Sequence, residues 1–216
     1  MPSFSLVIDG SSVVLLGRFS PAIFQPAWLA SHSLIRQEEA EHAKGLVFAP
    51  EVASFTVDWL RLQVTTDRFE AATEDPAHAE VLRDLVVSIF TLLEHTPFEK
   101  MGINRSLHYK MESEEHWHRF GDLLAPKSPW KATLSKPGLR SLTMEGARAE
   151  ASEARIQVKV EPSQRVHPGI SFDTNEHYEV SGADAGRRLM ATMATSWKAA
   201  QDYAKSAAER LLAQEY

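Results

Sequence analysis

The sequence contains no cysteine. That single absence excludes disulfides, thiolate nucleophiles and thiolate metal sites. No apolar run approaches the roughly 18 residues that a membrane-spanning helix requires, so no membrane partner is expected. Residues 1–9 lack the basic segment and apolar stretch of a secretory signal, and a cytoplasmic location is the expectation. Charge of one sign is also scarce. The net charge is −6, and no block of five or six like charges occurs. Proteins that bind phosphate backbones broadly carry a basic face that releases counterions, so a nucleic-acid partner is disfavoured, although a local basic groove stays open. Four chemical signatures are missing as well: a Gly-rich phosphate loop, a Gly-x-Ser-x-Gly elbow, His-Glu-x-x-His and Gly-x-Gly-x-x-Gly. Their absence weighs against the common enzyme classes. Neither a cofactor nor a metal is expected.

What remains is an ordinary globular composition, with 44% hydrophobic and 24% charged residues over 216 positions. That is enough chain to bury a sizeable core. Between residues 77 and 95, Leu82, Leu85, Val86, Ile89, Leu92 and Leu93 recur at helical spacing and form one apolar stripe. Pro97 stops this helix, and residues 98–111 read as a strand, paired in this reading with the alternating run 54–64. Upstream, Asp9-Gly10 between two β-rich runs predicts a short hairpin. A helix or two turns follow at 27–43, and 46–49 is a short apolar run before Pro50. Downstream, Ser113 is the expected N-cap of a helix carrying Trp117 and Phe120. Three strands are predicted at 139–145, 155–161 and 169–180, and a long helix then runs to the end. Trp130 is expected to anchor the proline-rich connection 126–137 in the core.

The strands come in runs instead of alternating with helices. This predicts a single α+β domain over 1–216: an antiparallel-rich sheet, helices on one side, and a long C-terminal helix. The order strands-then-helix occurs twice, so halves at 1–126 and 127–216 are possible, without residue-level self-similarity.

Thr66-Asp67-Arg68-Phe69, a helix, and then Lys100-Met101-Gly102-Ile103-Asn104-Arg105 resemble a sporadically distributed family of uncharacterised bacterial α+β proteins. The resemblance covers about residues 54–111. It implies the strand–helix–strand order, and it carries across no catalytic residue or function.

Arg105 shares a strand face with Met101, Ile103, Leu107, Tyr109 and Met111. A cation in that company needs a partner, because a buried unpaired charge is costly. An ion pair with Asp58 is the favoured reading, and a fork for a carboxylate or phosphate ligand is the alternative. His108 lies on the opposite, polar face with Asn104, Ser106 and Lys110. Asp173, Asn175 and His177 share one face of the last strand. If the two strands meet, His108, Asp173 and His177 are the candidates for acid–base work. His116 and His118 are two apart on a helix and cannot share an ion. His118 and Asp122 can, but two ligands without a third make no site.

The last helix carries Leu189, Met193, Trp197, Ala200, Ala204, Ala207 and Leu211 at alternating spacings of four and three. This stripe either covers the chain's own sheet or joins two copies. The reading that results is a non-enzymatic module that binds another protein or itself. A small-molecule site or hydrolase-like enzyme in a cleft between sheet and helix is the alternative, and a nucleic-acid-associated defence component comes third.

Overall fold

The computed structural model describes residues 4–148, 154–182 and 184–214. Among the described residues, fourteen helices and strands, together with short 3-10 turns, build two successive units of like topology. The first runs β1 (Phe4–Gly17), α1 (Pro26–Ser31), α2 (Gln37–Glu41), then a meander of β2 (Lys44–Ala49), β3 (Val52–Val57), β4 (Leu60–Thr65) and β5 (Arg68–Thr73), closed by α3 (Ala79–Leu92). The second runs β6 (Phe98–Met111), α4 (Glu114–Leu124), a meander of β7 (Leu142–Gly146), β8 (Arg155–Pro162) and β9 (Gly169–Glu179), closed by α5 (Ala185–Leu212). In each unit the last strand of the meander returns to lie beside the first strand. The two first strands pair antiparallel at the centre, so the order is β2-β3-β4-β5-β1-β6-β9-β8-β7, antiparallel at every step. The topological repeat therefore breaks between α3 and β6. Position 126/127 falls inside the second unit.

Several local expectations give way to this arrangement. Asp9-Gly10 makes no turn, and β1 runs straight through it as a strand of 14 residues. Neighbours on both sides override the local preference, since Ser11 lies opposite Thr73 of β5 and opposite Arg105 of β6. The run 54–64 is a hairpin, and it does not pair with β6. Its buried positions are odd at Ala53, Phe55 and Val57, then even at Leu60, Leu62 and Val64. Alternation changes phase across Asp58-Trp59, and there the chain reverses, with Val57 opposite Leu60. Trp59 holds the turn in place by stacking on His78 at 5.2 Å and donating to Glu39 at 3.1 Å. Ser113 does cap α4, accepting from the His116 amide at 3.2 Å. Trp130 is more than half exposed, so it anchors nothing in the core.

The helices cover one face of the sheet. On α3, Leu82, Leu85, Val86, Ile89 and Phe90 are buried, whereas Leu92 turns outwards. One apolar cluster lies under α1, α3 and the first half of α5, and a second, around Tyr109, Phe120 and Phe172, under α4 and the end of α5. The α5 stripe is internal. Leu189, Met193, Trp197, Ala200 and Ala204 are buried against the chain's own sheet, and the line continues through Ala208 and Leu212. Ala207 and Leu211 lie one step round the helix, since 3.6 residues per turn carries steps of four slowly across the face.

Candidate functional site: the open face and the free edge of the sheet

Arg105 sits on the helix-covered face, between the two apolar clusters. Its Nε and Nη2 donate to Asp9 Oδ1 and Oδ2 at 2.9 and 2.7 Å, and its Nη1 donates to the Gln201 carbonyl at 2.7 Å. Ser11 closes the belt by donating to Gln201 Oε1 at 3.0 Å. The ion pair is present, but the partner is Asp9, and Asp58 has no part in it. A guanidinium with three donors already committed to protein oxygens is not a ligand fork. A second buried pair lies farther along the same face. Glu176 accepts from Arg148 at 2.7 Å and from the Tyr178 hydroxyl, and burial pushes that hydroxyl's pKa up to about 12. These groups fasten the helical layer and the β7–β8 connection to the sheet.

Among the described residues, no helix lies on the opposite face. Its middle is built from small side chains, with Gly10 and Ser12 on β1, Ala72 on β5 and Ser106 on β6. Long polar side chains rise on either side: Arg61, Arg68 and Glu70 from β4 and β5, Gln157 and Lys159 from β8. The result is a shallow polar trough of about 430 Å³. On its floor Asn175 donates to Asn104 Oδ1 at 2.7 Å. Gly102 makes room for that pair, because a Cβ there would stand 2.8 Å from Asn175 Nδ2. Charges of both signs line the trough, and Glu70 takes up both Arg61 and Arg68 at 3.3 and 2.8 Å. At one end Arg165, from the β8–β9 loop, grips Glu74 with two bonds of 2.6 and 2.9 Å.

His108, Asp173 and His177 all lie on this open face, away from any cleft between sheet and helix. His108 is opposite Ser171, Asp173 opposite Ser106 and His177 opposite Gly102. Asp173 is therefore a diagonal neighbour of His108, whereas His177 lies six strand positions from it, about 20 Å. His177 is instead paired with Glu179 at 2.9 Å. His108 Nδ1 lies 2.8 Å from Ser163 Oγ, which already accepts from the amides of Arg165 and Val166. The hydroxyl therefore donates to Nδ1 and fixes His108 as the Nε2–H tautomer. Burial, opposed by the charge of Asp173, lowers its pKa, in keeping with a neutral ring. His108 thus latches the β8–β9 loop, and the three candidates do not form one catalytic group. Among the described residues no three histidine, aspartate or glutamate side chains are grouped to hold a metal. Asp122 pairs with Lys127 at 2.7 Å.

The free edge is the feature that sequence reasoning passed over. Among the described residues, β2 is the outermost strand on its side and pairs with β3 alone. Leu46, Val47 and Phe48 are consecutive on it and 53, 51 and 45% exposed. Phe48 faces the helix side with Ala53, and Val47 faces the open side with Ser54. Apolar residues on both faces mark a strand meant to have neighbours on both sides. The signal was the short apolar run before Pro50. No helix among the described residues is long and apolar enough to cross a membrane. Compared with known protein families and with curated proteins, the chain matches none.

Proposed function

We propose that the chain is a non-enzymatic interaction module that associates with a second copy of itself through β2. The observation that carries this reading is the exposed Leu46-Val47-Phe48 stretch on an edge strand that has no outer neighbour among the described residues. Such an edge invites strand addition, and natural sheets usually blunt it with charge or proline. Here Lys44, a register irregularity before Val47 with Gly45 at φ +63°, and Pro50 guard its ends, leaving 47–49 unguarded. Antiparallel two-fold pairing would also bring Lys44 of one copy towards Glu51 of the other, an attraction of unlike charges. The test is mass by light scattering. A dimer of the 24.1 kDa chain is expected at micromolar concentration, and Val47→Lys is expected to give a folded monomer. A wild-type monomer, or a dimer indifferent to Val47→Lys, overturns the reading.

The trough supports a second reading, a site for a small polar ligand. Its floor of amide and hydroxyl groups offers donors and acceptors without a dominant charge. A small-molecule panel that raises the melting temperature of wild type but not of Ser12→Phe, which fills the floor, would establish it. A nucleic-acid role is disfavoured by the trough, where Arg61, Arg68, Lys159 and Arg165 each have an acidic neighbour.

A further inference from the structure

Where the α5 stripe drifts onto Ala208 and Leu212, the flank of the helix that carries Ala207 and Leu211 is left facing the outer strands β7 and β8. Between them lies a slot of about 450 Å³. Leu142 and Met144 of β7 and Val158 and Val160 of β8 form one wall, α5 forms the other, and Leu124 of α4 closes the line. Helix α4 ends there, and the chain then leaves through an exposed connection, so among the described residues no helix covers this corner of the sheet. Met144 is 62% exposed, the most exposed of the large apolar side chains described.

The slot is not uniformly apolar. Tyr203, Ser206 and Arg210, one helical turn apart along α5, border it on one side. Ser206 and Arg210 also line the shallow surface depression next to it, which places them at the mouth. Arg210 is the single charged group in the lining, and it forms no ion pair among the described residues. A second guanidinium, that of Arg148, lies over the Tyr203 ring at 5.7 Å. That depression also holds Lys205 and two acids, Glu209 beside Arg210 and Asp202, the latter occupied by Lys198 at 2.5 Å. An apolar interior with the Arg210 guanidinium and the Ser206 hydroxyl at its mouth suits a hydrocarbon chain ending in an anion.

We propose that this slot binds a single-chain amphiphile with an anionic head group, its chain between α5 and β7–β8 and its head at Arg210. The site is independent of the β2 edge, which lies at the opposite margin of the sheet.

Dodecanoate, held below its critical micelle concentration, is the probe, and dodecyltrimethylammonium is the control of equal chain length. In protein labelled at the methionine methyl groups, dodecanoate should shift Met144 saturably and leave Met101 and Met193 in place. The cationic control should bind roughly tenfold more weakly, the difference a charge-assisted contact provides. Arg210→Met should abolish that preference without abolishing chain binding, and Ala207→Trp, which fills the slot, should abolish both. If Ala207→Trp does not fold, the Met144 shift in the wild-type chain still decides the matter. No saturable shift at Met144, equal binding of the two head groups, or binding unchanged in a folded Ala207→Trp protein overturns the proposal.

Discussion

The two faces of the sheet treat polar groups in opposite ways. On the helix-covered face, Arg105, Asp9, Glu176 and Arg148 have side chains between 2 and 13% exposed, and each is bonded to a partner of opposite charge. On the open face, Arg61, Arg68, Glu70 and Lys159 make comparable contacts while 23 to 66% exposed. Equal distances do not mean equal energies. In water a surface pair is worth about 0–1 kcal/mol, whereas removing one member of a buried pair strands the other charge without solvent. Charge on the covered face is therefore architectural, and charge on the open face is free to vary or to meet a ligand.

The sharpest way to break this comparison is to delete a cation on each face. Arg105→Met should lower unfolding free energy by about 3–5 kcal/mol, because Asp9 is left buried and unpaired. Arg61→Met should change it by less than about 0.5 kcal/mol. Adding Asp9→Leu to Arg105→Met should recover most of the loss, since an apolar pair leaves no orphan charge. Denaturant titration of the four proteins decides it. Equal losses at Arg105 and Arg61 would erase the distinction between the faces.

The same contrast runs along α3, and it shows what was legible in the sequence. Ile89→Ala should cost about 2–5 kcal/mol, as for other buried large-to-small changes, and Leu92→Ala less than about 0.5 kcal/mol. Both residues belong to the apolar stripe read from the sequence, yet Ile89 is fully buried and Leu92 is 51% exposed. Periodicity reports the face of a helix but not where its partner ends. The strands, the α5 helix and the α+β class were readable because periods of 2 and 3.6 survive in local sequence. The β3–β4 hairpin reads as one strand in the sequence, because the phase change at Asp58-Trp59 looks like apolar residues on both faces of a single strand. The pairing of Arg105 was legible in kind, because a cation among Met101, Ile103 and Leu107 must be neutralised. Its partner was not, because Asp9 lies 96 positions away in a dipeptide whose local preference is a turn. The β2 edge depends on strand order, which no local pattern encodes.

A glycine on the open face separates packing from function there. Gly102→Ala places a methyl group against Asn175 and should cost about 1–3 kcal/mol, the usual range for overpacking. Asn175→Ala in the same chain should return most of it, because the clash is with that side chain alone. A full cost in the double variant would mean that the strand backbone needs glycine at 102 for another reason. A trough whose floor tolerates both changes without loss of fold would be a surface shaped for something other than stability.

The smallest expected effect concerns His108, which ties the open face to a loop through Ser163. Its pKa in the folded chain is lowered below the ordinary 6.5, first by burial and then by Arg165, with Asp173 opposing. Between the folded and unfolded values the unfolded chain holds more protons, so stability must rise with pH across that window and fall as pH drops through it. Protonation would also put a proton on Nδ1, where Ser163 Oγ now donates at 2.8 Å, and so oppose the bond that anchors the β8–β9 loop. His108→Gln should therefore flatten the difference in denaturant midpoint between about pH 7 and pH 5 relative to wild type, the remaining slope belonging to carboxylates. Amide exchange should locate the change at Arg165 and Val166, whose amides donate to that same serine oxygen. If the wild-type and His108→Gln slopes coincide, the histidine is solvated like any other on this face, and the latch is held by Arg165 and Glu74 alone.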